Sequence, residues 1–296
     1  MKLYTFDNGD GVKRVGVELS GFPGLIRDVR DFGLPYRDMP DLIRHITPLE
    51  KERISDPEAA LDGRPLRLSS VRVCSPIPHP EQDIICLGVN YAAHADESAQ
   101  FDRKAFLLDR KKATYFSKRA YQTSGPDDLI PSYPELVTSL DYEAELAVII
   151  GRDCKNVCER DAAACIFGYT VLNDVSARNL QTEHNQWYFG KSLDGFTPMG
   201  PCIVTEDEIP YPPALSISST VNGELRQNSN TKYLLHSISD IIAELSQGMT
   251  LLAGTIIATG TPAGVGMGFD PPKFLKSGDV VTCEIEKIGR LTNMVK

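Results

Sequence analysis

The chain has 296 residues, which at about 100–200 residues per domain makes one large domain or a large one with a smaller companion. Its 42% hydrophobic and 24% charged content is that of an ordinary globular protein and excludes the disordered, collagen-like and disulfide-scaffold classes. Lys plus Arg number 31 against 40 Asp plus Glu, a net charge of −9 without any dense basic stripe, which speaks against nucleic acid as a partner.

The N-terminus alternates apolar and polar residues, so no signal peptide is expected, and no stretch approaches the roughly 18 apolar residues of a membrane span. Seven cysteines, an odd set without C-x-x-C, fit neither a disulfide framework nor a zinc ribbon and are expected to be reduced. The expectation is a cytoplasmic protein with no membrane partner. Residues 3–6 and 13–19 read as a hairpin around Asn8-Gly9-Asp10-Gly11. Pro40–Ile46 and Pro48–Ala60 suit two short helices with proline near their starts, and 64–73 suits a strand. Pro76, Pro78 and Pro80 make a stiff extended connector, so we expect a small N-terminal domain over 1–78 and a second domain over 79–296. In the latter, β-type runs fall at 83–87, 113–117, 142–150, 166–173, 201–204, 215–222, 254–259 and 280–288. Helices are expected at 159–165, 175–183 and 238–247, the last with Ile238, Ile241, Ile242 and Leu245 on one face. The pattern predicts an α+β fold, mainly β.

Chemistry concentrates in a few segments. In Asp141-Tyr-Glu-Ala-Glu-Leu-Ala-Val-Ile-Ile150, a strand's two-residue period puts Glu143 and Glu145 on one face ahead of a fully apolar run. Like charges beside an interior need a cation or a shared proton; alone, the pair fits a solvated strand end equally well. Asp174, read as the start of a helix, shares about 60° of helical arc with Arg178 and Gln181, although an N-cap and a surface ion pair account for the same residues. Three carboxylates without a histidine or thiolate pattern suit a hard ion: Mg²⁺ first, Mn²⁺ or Ca²⁺ as alternatives, zinc disfavoured. Such a site suits a chelating 2-oxo acid. His94 and Glu97, three apart in a helical turn, can form a general-base pair or a plain structural one. Phe189-Gly-Lys-Ser192 fails as a P-loop because Asn185 stands where glycine is required. Thr259-Gly-Thr-Pro-Ala-Gly-Val-Gly-Met-Gly268 lacks dinucleotide spacing; it suits either a tight connecting loop or a cradle of N–H groups and threonine hydroxyls for a carboxylate.

In order, GVNYAAH, FSK, DYEAELAVIIG, GYTVLNDVSARNLQ, GKSLDGFTPMGP, VNGE, TGTPAGVG and LKSGDVV resemble the fumarylacetoacetate hydrolase family from about Ile84 to the C-terminus. The resemblance implies a mixed β-roll in the C-terminal domain, preceded by a small N-terminal one, and a homodimer. It implies Mg²⁺ or Ca²⁺ on Glu143, Glu145 and Asp174, and Lys191 stabilising enolate charge. It further implies Arg178, Gln181 and Thr259-Gly260-Thr261 on the substrate, His94 and Glu97 as the pair of acylpyruvate-cleaving members, and Lys118 at the pocket mouth. The leading expectation is hydrolysis of a C–C bond in a 2,4-dioxo acid, with water activated by His94. Oxaloacetate decarboxylation or isomerisation of a dienoic diacid follows, and a metal-stabilised binding protein is the non-enzymatic alternative.

Overall fold

The computed structural model describes residues 1–102, 106 and 111–296. The N-terminal part supplies β1 (Lys2–Asp7), β2 (Lys13–Glu18), β3 (Leu25–Asp28), α1 (Met39–His45), α2 (Pro48–Ser55), β4 (Leu66–Arg67) and β5 (Arg72–Cys74). Then come β6 (Ile84–Leu87), α3 (Ala92–Phe101), β7 (Tyr115–Lys118), β8 (Leu129–Ile130), β9 (Leu140–Asp141), β10 (Ala144–Ile150), β11 (Ile166–Asn173) and β12 (Ser176–Ala177). The chain continues through α4 (Arg178–Glu183), α5 (Tyr188–Lys191), β13 (Met199–Thr205), β14 (Ser216–Val221), β15 (Glu224–Asn230), α6 (Ile238–Gly248), β16 (Ile256–Ala258), β17 (Val280–Ile285) and β18 (Gly289–Val295).

An 11-stranded sheet runs β4-β3-β2-β1-β13-β11-β10-β16-β6-β7, with β5 also on β1, and a five-stranded sheet runs β15-β14-β17-β18-β8. Pairing is antiparallel except for β16 with β6 and β18 with β8, so both sheets are mixed. The expected boundary at residue 78 falls between β5 and β6. The sheet crosses it through the β1–β13 pair, in which Leu3 faces Ile203.

β10 is buried along its whole length because both of its faces meet apolar layers. Leu146, Val148 and Ile150 share a core with Ile217 and Cys283 of the second sheet, while Ala147 and Ile149 pack in a core that includes Leu42 of α1. On α6 the expected Ile238, Ile241, Ile242 and Leu245 stripe is buried, each side chain contributing about 1.5–3 kcal/mol. A capping box fixes where that helix starts: Ser237 Oγ accepts from Asp240 N at 3.1 Å, and Asp240 Oδ2 accepts from Ser237 N at 3.0 Å.

Several expectations are corrected. The run at 280–288 is the first strand of a hairpin, broken where Lys287 takes a left-handed φ of 66°. β15 escapes a hydrophobicity reading because it is an edge strand bonded only to β14, and its outer residues stay polar. Residues 159–165 form a 3₁₀ helix, and 176–177 pair with β9 before α4 begins. All seven cysteines are unpaired, six of them buried. Among the described residues no helix is long and apolar enough to cross a membrane.

Candidate metal centre and substrate pocket

Three local facts bring the carboxylates together. Glu143 and Glu145 project to the same side at the start of β10. β10 pairs with β11 so that Ala144 faces Asn173, which sets Asp174 beside Glu143. The turn is then pinned twice, Asp174 N donating to Glu143 O at 2.9 Å and Glu143 N to Asn173 Oδ1 at 3.0 Å. One oxygen from each of Glu143, Glu145 and Asp174 lies within 4.8 Å of the others, and all three residues are buried.

Cations surround two members of this triad. Lys191 Nζ donates to Glu143 Oε2 at 2.8 Å and to Asp174 Oδ2 at 2.7 Å. Arg178 Nη1 lies 2.6 Å from Glu143 Oε1 and donates to Gln181 Oε1 at 3.0 Å, while its Nε donates to Asp141 Oδ2 at 2.9 Å. Burial pushes the Glu143 carboxyl up, but Lys191 and Arg178 outweigh it and hold the group below the usual carboxylate range. Burial likewise opposes the Lys191 charge, and Asp174 and Glu143 more than restore it. Among the described residues Glu145 touches no cation and accepts only from Gly260 N, at 2.8 Å. Burial, then the charges of Asp174 and Glu143, raise it well above the usual range.

Asp174 does not cap the helix as the sequence suggested. Helix α4 starts four residues later, at Arg178, with no side-chain cap. Arg178 and Gln181 do meet at i,i+3, whereas Asp174, in the turn ahead of the helix, pairs with Lys118 and Lys191. Lys118 is not at the pocket mouth. It is fully buried on β7, with Nζ 2.8 Å from Asp174 Oδ1 and bonded to the carbonyls of Val175 and Lys191. The Thr259 and Thr261 hydroxyls donate to Leu146 O and Ala144 O, each at 2.9 Å, so these side chains clamp the loop after β16 onto β10. Gly260 is required there: its φ is +96°, and a Cβ would come within 2.8 Å of Asn90 Cβ.

His94 and Glu97 sit on α3 with Nδ1 3.0 Å from Oε2, and Ser98 Oγ is 3.3 Å from the other ring nitrogen. Glu97 is held from behind by Gly264 N at 2.9 Å. The sequence reading assigned no role to Asp141. It is completely buried, pairs with Arg178, and accepts from Gly266 N at 2.6 Å and Met267 N at 3.0 Å. Its signal was its place two residues before Glu143, on the same strand parity.

His94, Glu143, Arg178, Gln181 and Lys191 line the polar side of one cavity of about 10 Å³, and Leu87, Phe106, Phe116 and Trp187 its apolar side; Glu145 and Asp174 lie behind Glu143, outside this lining. A larger cleft of about 540 Å³ near Met1, Glu18 and Lys287 contains none of the residues of this cluster.

The donor set fits a hard divalent ion. It is all oxygen, and Glu145 is a buried carboxylate with no cation beside it among the described residues. Four carboxylates (Asp141, Glu143, Glu145, Asp174) against three cations (Lys118, Lys191, Arg178) leave one formal negative charge. A divalent ion turns that to one positive charge, which suits an anionic ligand.

The family model for the fumarylacetoacetate (FAA) hydrolase C-terminal region matches residues 83–296. The chain belongs to the fumarylacetoacetate hydrolase family. Within this family it is 39% identical to mitochondrial oxaloacetate tautomerase fahd2 of Xenopus laevis, over 100% of this chain and 90% of that protein. It is 45% identical to oxaloacetate tautomerase YisK of Bacillus subtilis over 77% of this chain and 74% of that one. A solved family structure, maleylpyruvate hydrolase from Sphingobium sp. SYK-6 in complex with manganese(II) ion and pyruvate, superposes with a TM-score of 0.77 at 32% identity, covering 100% of this chain and 98% of the other. The α+β, sheet-dominated architecture is thus that of the fumarylacetoacetate hydrolase family.

Proposed function

We propose that this protein is a divalent-metal-dependent enzyme that interconverts the keto and enol forms of a small 2-oxo dicarboxylate, oxaloacetate in the first instance. The observation that carries this reading is the single buried cavity shared by His94, Arg178 and Lys191 beside the acidic triad. The names of the two tautomerase relatives support the substrate choice.

Glu143, Glu145 and Asp174 would hold the ion, with Mg²⁺ favoured. When bound, such an ion supplies Lewis-acid polarisation of the 2-oxo group. Arg178 Nη2 is buried and has no hydrogen-bond partner among the described residues, which leaves a charged donor for a substrate carboxylate. His94, with Nδ1–H directed at Glu97, presents its other nitrogen as the base. It takes the C3 proton and returns it to the C2 oxygen, so one C–H bond breaks, one O–H bond forms and no water is consumed. Lys191, firmly charged between two carboxylates, supports the negative charge passing through that oxygen. Asp141 orients Arg178. A homodimer is part of the same reading.

Hydrolysis of a C–C bond in a 2,4-dioxo acid is the second reading, supported by the His94–Glu97 pair and by the hydrolase name of the Sphingobium relative. It needs a water placed in the site, whereas tautomerisation needs only a proton moved. The test follows decay of the enol absorbance of oxaloacetate with Mg²⁺, after EDTA, and with His94→Ala. The proposal expects an acceleration lost in both controls. Pyruvate release from acetylpyruvate without faster enol decay moves the assignment to the hydrolase, CO₂ release from oxaloacetate moves it to a decarboxylase, and inertness toward all of these moves it to a binding protein.

A further inference from the structure

We infer that Trp187 sets an upper limit on substrate size, restricting the pocket to 2-oxo acids with a short substituent on the carbon chain. This rests on the functional reading above and goes beyond it, because neither the triad nor the His94–Glu97 pair selects the length of the substrate.

The indole is wedged on three sides. It meets Phe116 edge-on and Phe106 at a tilt, each with ring centroids 5.4 Å apart. On its third side it covers Gly88, where even a Cβ would come within 2.7 Å of the indole Cζ3. Gly88 is therefore a seat cut for this ring, in the loop that leads to α3 and His94. Phe116 joins the two halves of the site, since its other contact is Lys191 Nζ, 5.3 Å from the ring centroid. The polar groups that would engage a 2-oxo carboxylate and the aromatic wall thus line the same pocket. A wall fixed by three packed neighbours does not recede for an extra methylene. Each methylene in such a pocket changes discrimination by about 10–200-fold. Among the described residues the wall offers no charged group to reward a longer polar chain, so it works by exclusion.

Trp187 is also the only tryptophan of the chain, so its emission reads the pocket directly. The experiment measures kcat/KM for oxaloacetate and for a series of 2,4-dioxo acids with acetyl, butyryl and benzoyl ends, using the parent, Trp187→Phe and Trp187→Ala. The expected result is a ratio of benzoyl to oxaloacetate turnover that rises at least tenfold in Trp187→Ala and less in Trp187→Phe. In the parent, oxalate with Mg²⁺ should shift or quench the tryptophan emission. A ratio unchanged in both variants, or emission indifferent to saturating oxalate, overturns the size limit while leaving the tautomerase reading intact. Parent protein inert toward every acid in the series overturns both. If Trp187→Ala does not fold, the ratio in Trp187→Phe and the parent's emission decide the matter.

Discussion

Glu145→Gln separates two demands on one side chain, and the sign of its effect depends on whether a divalent ion is present. Without an ion, burial and the neighbouring Asp174 and Glu143 raise the Glu145 carboxyl well above its usual range, so the group tends to keep its proton. Unit charges 4.8 Å apart, the outer limit of the triad, repel by about 3.5 kcal/mol at an effective dielectric of about 20; the proton removes that repulsion. A glutamine has the shape of the protonated acid and still accepts from Gly260 N. The ion-free variant is therefore expected within about 1 kcal/mol of the parent, or within roughly 2–4 °C in Tm. With an ion at about 100 times its Kd, the parent gains about 2.7 kcal/mol, a rise of roughly 5–10 °C, and the variant does not. Thermal melts in EDTA and in excess Mg²⁺ or Mn²⁺ measure both. A folded-state pKa raised above the unfolded one stabilises at low pH, and that contribution fades as pH rises through the folded value. The ion-free parent should accordingly lose more stability on going alkaline than Glu145→Gln does. Ion binding should release a proton and tighten with pH. A variant that melts more than about 8 °C lower in EDTA, or that keeps the full ion-induced rise, refutes this reasoning.

Asp141→Asn leaves Arg178 paired with Glu143 alone and weakens the hold on the 266–267 N–H groups. Removing a partner from a buried ion pair costs about 3–5 kcal/mol, and the retained amide oxygen puts this variant near the low end, a fall of roughly 6–12 °C in Tm; a fall under about 2 °C would show that the pair does not hold the site. His94→Ala should lower kcat on oxaloacetate by about 10²–10⁴ while the ion-induced rise in Tm persists, and loss of that rise would mean His94 supports the ion instead of the proton transfer. Ile242→Ala, at a fully buried position on α6, should cost about 2–5 kcal/mol in urea unfolding, and a cost below about 1 kcal/mol would contradict the packing described for that helix.

Features set within one element were legible in the sequence, since strand and helix periods act locally. Glu143 and Glu145 are two apart on a strand, His94 and Glu97 three apart on a helix, and the α6 stripe follows the helical repeat. Features set between elements were not. Lys118 comes from β7 and Lys191 from α5, and nothing in either string says that both ammonium groups turn inward onto Asp174. Asp141 read as the polar start of a strand because its partners, Arg178 and the 266–267 backbone, lie far along the chain. Asp174, Arg178 and Gln181 were expected on one helical face, yet Asp174 lies in the turn ahead of α4 and its carboxylate meets Lys118 and Lys191 instead of Arg178. Only the Arg178–Gln181 part of that grouping was legible, because it lies within one helix.

The arrangement of charge then explains why one member of the triad differs from the other two. Glu143 and Asp174 are already paired with lysine and arginine, which hold both side chains in place. Among the described residues Glu145 has only a backbone N–H. Ion binding is therefore coupled mainly to the state of this one carboxyl, and the cations that pre-assemble the other two also limit how much positive charge the site accepts. With the ion in place the formal balance turns from one negative charge to one positive. The divalent ion and the anionic ligand each improve the site for the other, and a carboxylate-bearing ligand should bind more tightly when the ion is present.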